Sequence, residues 1–285
     1  MSILNSSLKI CRVNIAQCFE KSNVIIAFGM GIIFSISGTA GLRAYSHALQ
    51  QKLTSFEPWI YLSSECWSMM FIYLGGILLV GDAPFISGVQ TNIIWRTSRI
   101  SWVIGQLLYI FIMLLMYFIS LNTAVFLLNL DSIQISANWS DAFNSLSDKY
   151  SLIAFERFKI SYPFQSVFIL YSPIQAWLLS LLMQVSYCFF ADCILFTGQL
   201  ISRKNIGWIC TILIHLIGYI YLQEPYSFLA RVAFPVHSML GYSFVIQEIP
   251  SISKTLSEFW ILILGIHIFL LFTAQKTDLI SKEEE

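Results

Sequence analysis

Six runs of about twenty mostly apolar residues divide this chain, at about 23–42, 58–80, 102–128, 171–197, 205–222 and 258–274. Each is close to the length that a helix needs to cross a hydrocarbon core about 30 Å thick. Lipid offers no partner to open backbone groups, so such runs must close their hydrogen bonds internally, as helices do. The predicted fold is an all-α integral membrane protein, one transmembrane domain over residues 1–285 with six transmembrane helices. Composition agrees, because 57% of the residues are hydrophobic and only 11% are charged, against about 25% charged in a soluble domain. The 16 Lys and Arg balance 16 Asp and Glu, which leaves no basic excess to recruit nucleic acid. The first run starts late and ends at no clean small-residue cleavage site, so it is expected to be retained rather than removed as a signal peptide.

Six crossings place both termini on one side. With that side cytoplasmic, it carries nine basic residues, Lys9, Arg12, Lys21, Arg96, Arg99, Arg203, Lys204, Lys276 and Lys282, against seven on the other. The bias is small, but the connections at 81–101 and 198–204 are short and basic, and short loops weigh most in setting orientation. Both termini are therefore expected to be cytoplasmic, in a cell membrane.

Segments between the runs carry further signals. Residues 8–21 place Leu8, Cys11, Ile15, Cys18 and Phe19 near helical spacing among Lys9, Arg12, Glu20 and Lys21, the pattern of an amphipathic helix on a membrane surface. Residues 223–257 are apolar but broken by Pro225, Pro235 and Pro250, which suits short re-entrant or interfacial helices between spans five and six. The connection at 129–170 is long and mixed, and its Asn138-Trp139-Ser140 would accept a glycan only in a secretory pathway. None of the six cysteines lies in a long polar loop or in a CxxC pair, so they are expected to pack as small hydrophobes, without a disulfide framework or a metal.

The most specific stretch is 81–106, GDAPFISGVQTNIIWRTSRISWVIGQ. Asp82-Ala83-Pro84 stops the second span. Phe85, Ile93, Ile94 and Trp95 follow, then Arg96 and Arg99 three apart on one helical face, then Trp102 at the start of the third span. A mere connector has no use for four large apolar side chains. A knob on which another protein docks does.

In layout, and in Gly81-Asp82-Ala83-Pro84-Phe85 followed by Arg96-x-x-Arg99-x-x-Trp102-x-x-Gly105-Gln106, the chain resembles the membrane permeases of type-2 ABC transporters, of the Gram-positive bacterial kind with a separate ATPase. The resemblance at residue level is confined to this stretch, and the connection at 129–170 is longer than the family's usual outer loop. The resemblance implies a surface helix before the first span and a coupling helix between the second and third, with Asp82, Phe85, Ile93, Ile94, Trp95, Arg96 and Arg99 as the coupling residues. It implies two partners besides the bilayer: an ATP-binding subunit, and a second permease subunit, identical or not. It further implies efflux of an amphipathic or hydrophobic cargo such as an antimicrobial peptide, a drug or a lipid. The chain lacks a GxxxxGK[ST] phosphate loop. It is therefore not expected to be an enzyme by itself or to bind a cofactor, and ATP and Mg²⁺ are expected in the partner.

Other features remain open between readings. Ala27, Gly31, Ser35 and Thr39 form a small-residue stripe, for packing within the chain or at the dimer interface that the resemblance places on the first and fifth spans. Glu65, in the second span, and His215 are candidates for a transport path. With His267 they could form the relay of a proton-coupled carrier, the main alternative. Asp192, near the inner end of the fourth span, is expected to snorkel to the interface. A membrane-embedded hydrolase is a further alternative, although HExxH and GxSxG motifs are absent from the sequence.

Overall fold

The computed structural model describes residues 3–83, 97–147, 151–160, 165–201, 205–223, 227–242 and 251–276. In chain order they form α1 (Ile3–Cys18), α2 (Ser22–Leu49), β1 (Leu53–Thr54), α3 (Glu57–Leu62), α4 (Cys66–Leu79), α5 (Arg99–Leu128) and β2 (Ile133–Gln134). Then come α6 (Asp141–Ser147), α7 (Ser151–Phe158), α8 (Gln165–Leu170), α9 (Pro173–Ile201), α10 (Asn205–Gln223), α11 (Ser227–Ala230), α12 (Phe234–His237) and α13 (Ile252–Lys276). Among the described residues, five helices are long and apolar enough to cross a bilayer: α2, α5, α9, α10 and α13. The chain is a multi-pass helical membrane protein.

The run at 58–80 departs from expectation, because it breaks at Ser63-Ser64-Glu65. Short polar side chains compete for backbone groups and favour helix ends over helix interiors. Here the Ser63 and Ser64 hydroxyls donate to the Ile60 carbonyl at 2.7 and 3.3 Å. Glu65 then caps α4, accepting from the Ser68 amide at 2.7 Å and the Trp67 amide at 3.2 Å. What remains, α4, is 14 residues long, roughly 21 Å at 1.5 Å per residue and too short to cross alone. Other limits follow familiar chemistry. Ser98 caps α5 through the Ser101 amide at 3.1 Å, and α2 ends where Gln50 turns left-handed at φ 54°.

Side-chain pairs set the helix directions. The Asn23 amide reaches the Leu78 carbonyl at 3.2 Å, and Tyr117 Oη donates to the Ile72 carbonyl at 2.9 Å, so α2 and α4 run antiparallel beside α5. Trp177 Nε1 donates to Asn122 Oδ1 at 2.8 Å, and the Trp102 and Phe196 rings lie 6.1 Å apart, so α9 runs against α5. Tyr187 meets His215 of α10, while Phe190 meets Phe259 of α13. α9 is the central pole, with 72% of its apolar stretch buried against 22% for α13.

The N-terminal helix forms, but a helix occupies its buried face. Ser7 Oγ donates to the Ser101 carbonyl at 2.9 Å, Asn14 Nδ2 to Gln106 Oε1 at 2.9 Å, and Cys18 Sγ meets Met113 Sδ at 3.6 Å. These rising pairs mean that α1 runs lengthwise and parallel along the first half of α5. Gly105 permits the approach, because a β-carbon there would sit 2.8 Å from Ile10 Cβ. Lys9 and Arg12 stay exposed on the other face.

The described parts of 129–170 are folded over one end of the bundle. β1 and β2 pair in parallel, Leu53 with Ile133 and Thr54 with Gln134. A separate apolar cluster there joins Leu42, Tyr45 and Tyr61 to Phe143, Leu146 and Ala154. Between the last two long helices stand the single-turn α11 and α12, with Pro235, Val236 and His237 buried.

Candidate functional site

Asp192 has 0% exposure, and neither of its carboxylate oxygens has a hydrogen-bond partner among the described residues. It lies nine residues before the end of α9, roughly 13 Å along the axis. That corrects the expectation of a snorkelling aspartate: the side chain is enclosed by other helices. Gln184, eight residues earlier, shares that side of α9 and is also fully buried, with both amide atoms unpartnered among the described residues. Gln199 continues the stripe and donates from Nε2 to the Gly81 carbonyl at 3.1 Å. Cys188 lies between Gln184 and Asp192 and faces Gly76, where a β-carbon would come 3.1 Å from its sulfur.

Aromatic hydroxyls surround this stripe. Tyr187 Oη lies 3.1 Å from His215 Nδ1, and the Tyr187 ring packs 4.9 Å from Tyr73, whose hydroxyl accepts from Ser238 at 2.7 Å. Tyr109 and Tyr187 are both within electrostatic reach of Asp192. A buried polar group without a partner costs about 1–3 kcal/mol, more when charged, so a stripe of them on the central helix is unusual for a merely structural element.

The other buried carboxylate, Glu57 at 0% exposure, has the opposite character. Its oxygens accept from the Thr54 amide at 2.7 Å, the Ser140 amide at 2.6 Å and Ser140 Oγ at 2.6 Å. It ties α3 to the start of α6 across 83 residues. Sequence reading passed over it, although an acid followed by Pro58 in the first turn is a helix-start signal.

A third polar cluster is exposed at the same end. Arg43 Nη2 meets Asp131 Oδ2 at 2.6 Å and His47 Nε2 meets it at 3.0 Å. The Arg43 hydrogen bond, chiefly, pulls the Asp131 carboxyl down to about 2. A groove of about 400 Å³ runs beside it between α2 and α5, lined by Ile36, Ala40, Arg43, His47 and Leu128.

The residues singled out from sequence are scattered. Ala27, Gly31, Ser35 and Thr39 are buried in the chain's own core, with Gly31 against the Tyr117 ring and Ala27 against Gly75. Glu65 is half-buried and engaged as a cap, His215 bonds Tyr187, and His267 bonds the Ile263 carbonyl of its own helix at 2.7 Å. No hydrogen bond or ion pair among the described residues joins these three. Asp82 is exposed and 4.0 Å from Lys21, whose ammonium burial lowers and Asp82 partly restores. Arg99 is exposed at the start of α5. Phe85, Ile93, Ile94, Trp95 and Arg96 lie outside the described residues. No group of His, Cys, Asp and Glu suited to a metal occurs among the described residues.

No family model, curated protein or solved structure matches the chain.

Proposed function

We propose that the chain is the permease subunit of an ABC transporter, exporting an amphipathic or hydrophobic compound. A separate ATP-binding subunit docks on the 81–101 connection, and a second permease subunit completes the complex. On this reading α3 and α4 together make the second of six crossings, and both termini are cytoplasmic. The observation that carries the proposal is the connection itself: Phe85, Ile93, Ile94 and Trp95 beside Arg96 and Arg99, in a short loop that needs none of them as a linker. The geometry supports it from both sides. Asp82 and Arg99 are exposed where the connection leaves α4 and enters α5. Beside that entry, α1 packs along the first half of α5, so force applied at the loop bears on a braced helix pair.

The proton-carrier alternative loses its support, since Glu65 is engaged as a helix cap and neither histidine reaches it. Charge reversal of both Arg96 and Arg99 tests the docking. The amount of ATP-binding subunit recovered with the tagged chain should fall roughly tenfold, equivalent to about 1.4 kcal/mol, with the membrane level of the chain unchanged. Undiminished recovery would remove the loop from the account.

A further inference from the structure

Among the described residues, one buried carboxylate has no hydrogen bond within the bundle. Asp192 is fully buried on the central helix, without a partner among the described residues, and no lysine or arginine hydrogen-bonds or ion-pairs with it there. An unpaired carboxylate anion in such a setting costs several kcal/mol. It must therefore bind a cation, and neither oxygen is accessible to water, so nothing larger than a proton can reach it in this packing. The neighbours are suited to a neutral carboxyl. Tyr109 of α5 lies within electrostatic reach of it, and Tyr187, Cys188 and Cys193 neighbour it along α9. α10 brings His215 only as far as the Tyr187 hydroxyl and sets Thr211 on the adjoining Ala191 carbonyl at 3.4 Å. α4 presents Tyr73 to Tyr187, α13 presents His267 to the Phe189 ring, and α3, with Glu57, touches only the opposite end of α9 around Ala176. The titratable groups that act on Tyr109 are Cys18 and Asp82, the latter 4.0 Å from Lys21.

We propose that Asp192 is a proton-binding carboxyl, neutral while α9 is packed as seen here and ionised when the polar face of α9 parts from its neighbours and takes in water. Gln184 belongs to the same device. Its amide atoms have no partner among the described residues and gain hydrogen bonds when that face is wet, which favours opening. The inference does not depend on what powers the protein.

Two measurements on the full chain in lipid nanodiscs test it. In infrared spectra at neutral pH, the wild type should show a protonated-carboxyl C=O stretch that Asp192→Asn lacks. Superimposable spectra would mean that the group is ionised, and would overturn the proposal. Asp192→Glu should shift that band rather than remove it, which keeps the test decisive if the Asn variant fails to accumulate. The second measurement uses native reporters beside the carboxyl, since Cys188 and Cys193 are both buried. Their alkylation by a small maleimide reports opening, and Asp192→Asn supplies the thiols' own pH dependence. The wild-type rate relative to that variant should climb by up to about tenfold per pH unit once the opened carboxyl ionises, as linkage requires. A ratio that stays flat from acid to alkaline pH would overturn the coupling.

Discussion

Two buried carboxylates, Glu57 and Asp192, show how differently this chain treats a charge removed from water. Glu57 sits under the folded segments of 129–170, the cap of the bundle, with hydrogen bonds from Thr54 and Ser140, and its carboxylate organises segments that have little helical length of their own. Asp192 sits on the central helix with no such partner among the described residues. The Glu57 carboxylate is held by polar contacts, whereas Asp192 is enclosed by apolar packing around a polar stripe. A fully satisfied network fixes one conformation, whereas an unsatisfied one favours any rearrangement that admits water. On the proposed account, motion lowers a cost at the middle of α9 and not at Glu57.

That contrast can be broken by substitution. The largest effect is expected at Glu57→Ala, which strands two buried amides and the Ser140 hydroxyl and should cost about 3 kcal/mol. It should show as a lowered Tm in detergent and as faster proteolytic nicking within 129–160. Glu65→Ala removes only a helix cap and should cost about 1 kcal/mol, read as a smaller drop in Tm than that of Glu57→Ala. Acid should act on the cap through Asp131. Its folded carboxyl titrates at about 2, against about 3.9 in an unfolded chain. The Arg43–Asp131 contribution is therefore present above about pH 4 and is lost as pH falls toward 2. Arg43→Gln should flatten that acid limb in a pH series of melting curves. The smallest effect belongs to Asp192→Asn, within about 0.5 kcal/mol of wild type, because no partner among the described residues is lost. A large destabilisation there would show that Asp192 is a structural anchor like Glu57.

Much of the bundle was legible from apolar runs. The 102–128 and 205–222 segments correspond to Arg99–Leu128 and Asn205–Gln223, since hydropathy and helix length report the same lipid constraint. α13 starts at Ile252 rather than 258 because its first turns are polar, with Lys254 4.0 Å from Glu258, and hydropathy overlooks polar turns. The break at Ser63-Ser64-Glu65 was hidden for a related reason: averaging over a span hides three polar residues whose side chains redirect the backbone. The cap could not be read at all. Its pairs, such as Leu53 with Ile133, are fixed by tertiary closure and not by local pattern. Asp192 was visible as an intramembrane acid. Its lack of a partner was not, because that is a property of what α5, α10 and α13 place around it. The small-residue stripe at Ala27, Gly31, Ser35 and Thr39 was equally visible, and only packing showed Tyr117 and Gly75 against it.

The central claim is that a bundle with this interior is worked from outside by a separate ATPase. Its most direct test is to purify the tagged chain in mild detergent from its native host and identify what accompanies it. The account predicts a stoichiometric ATP-binding subunit that is lost when residues 85–99 are replaced by a Gly/Ser linker. A chain that purifies alone, under conditions that keep known membrane complexes intact, would contradict it.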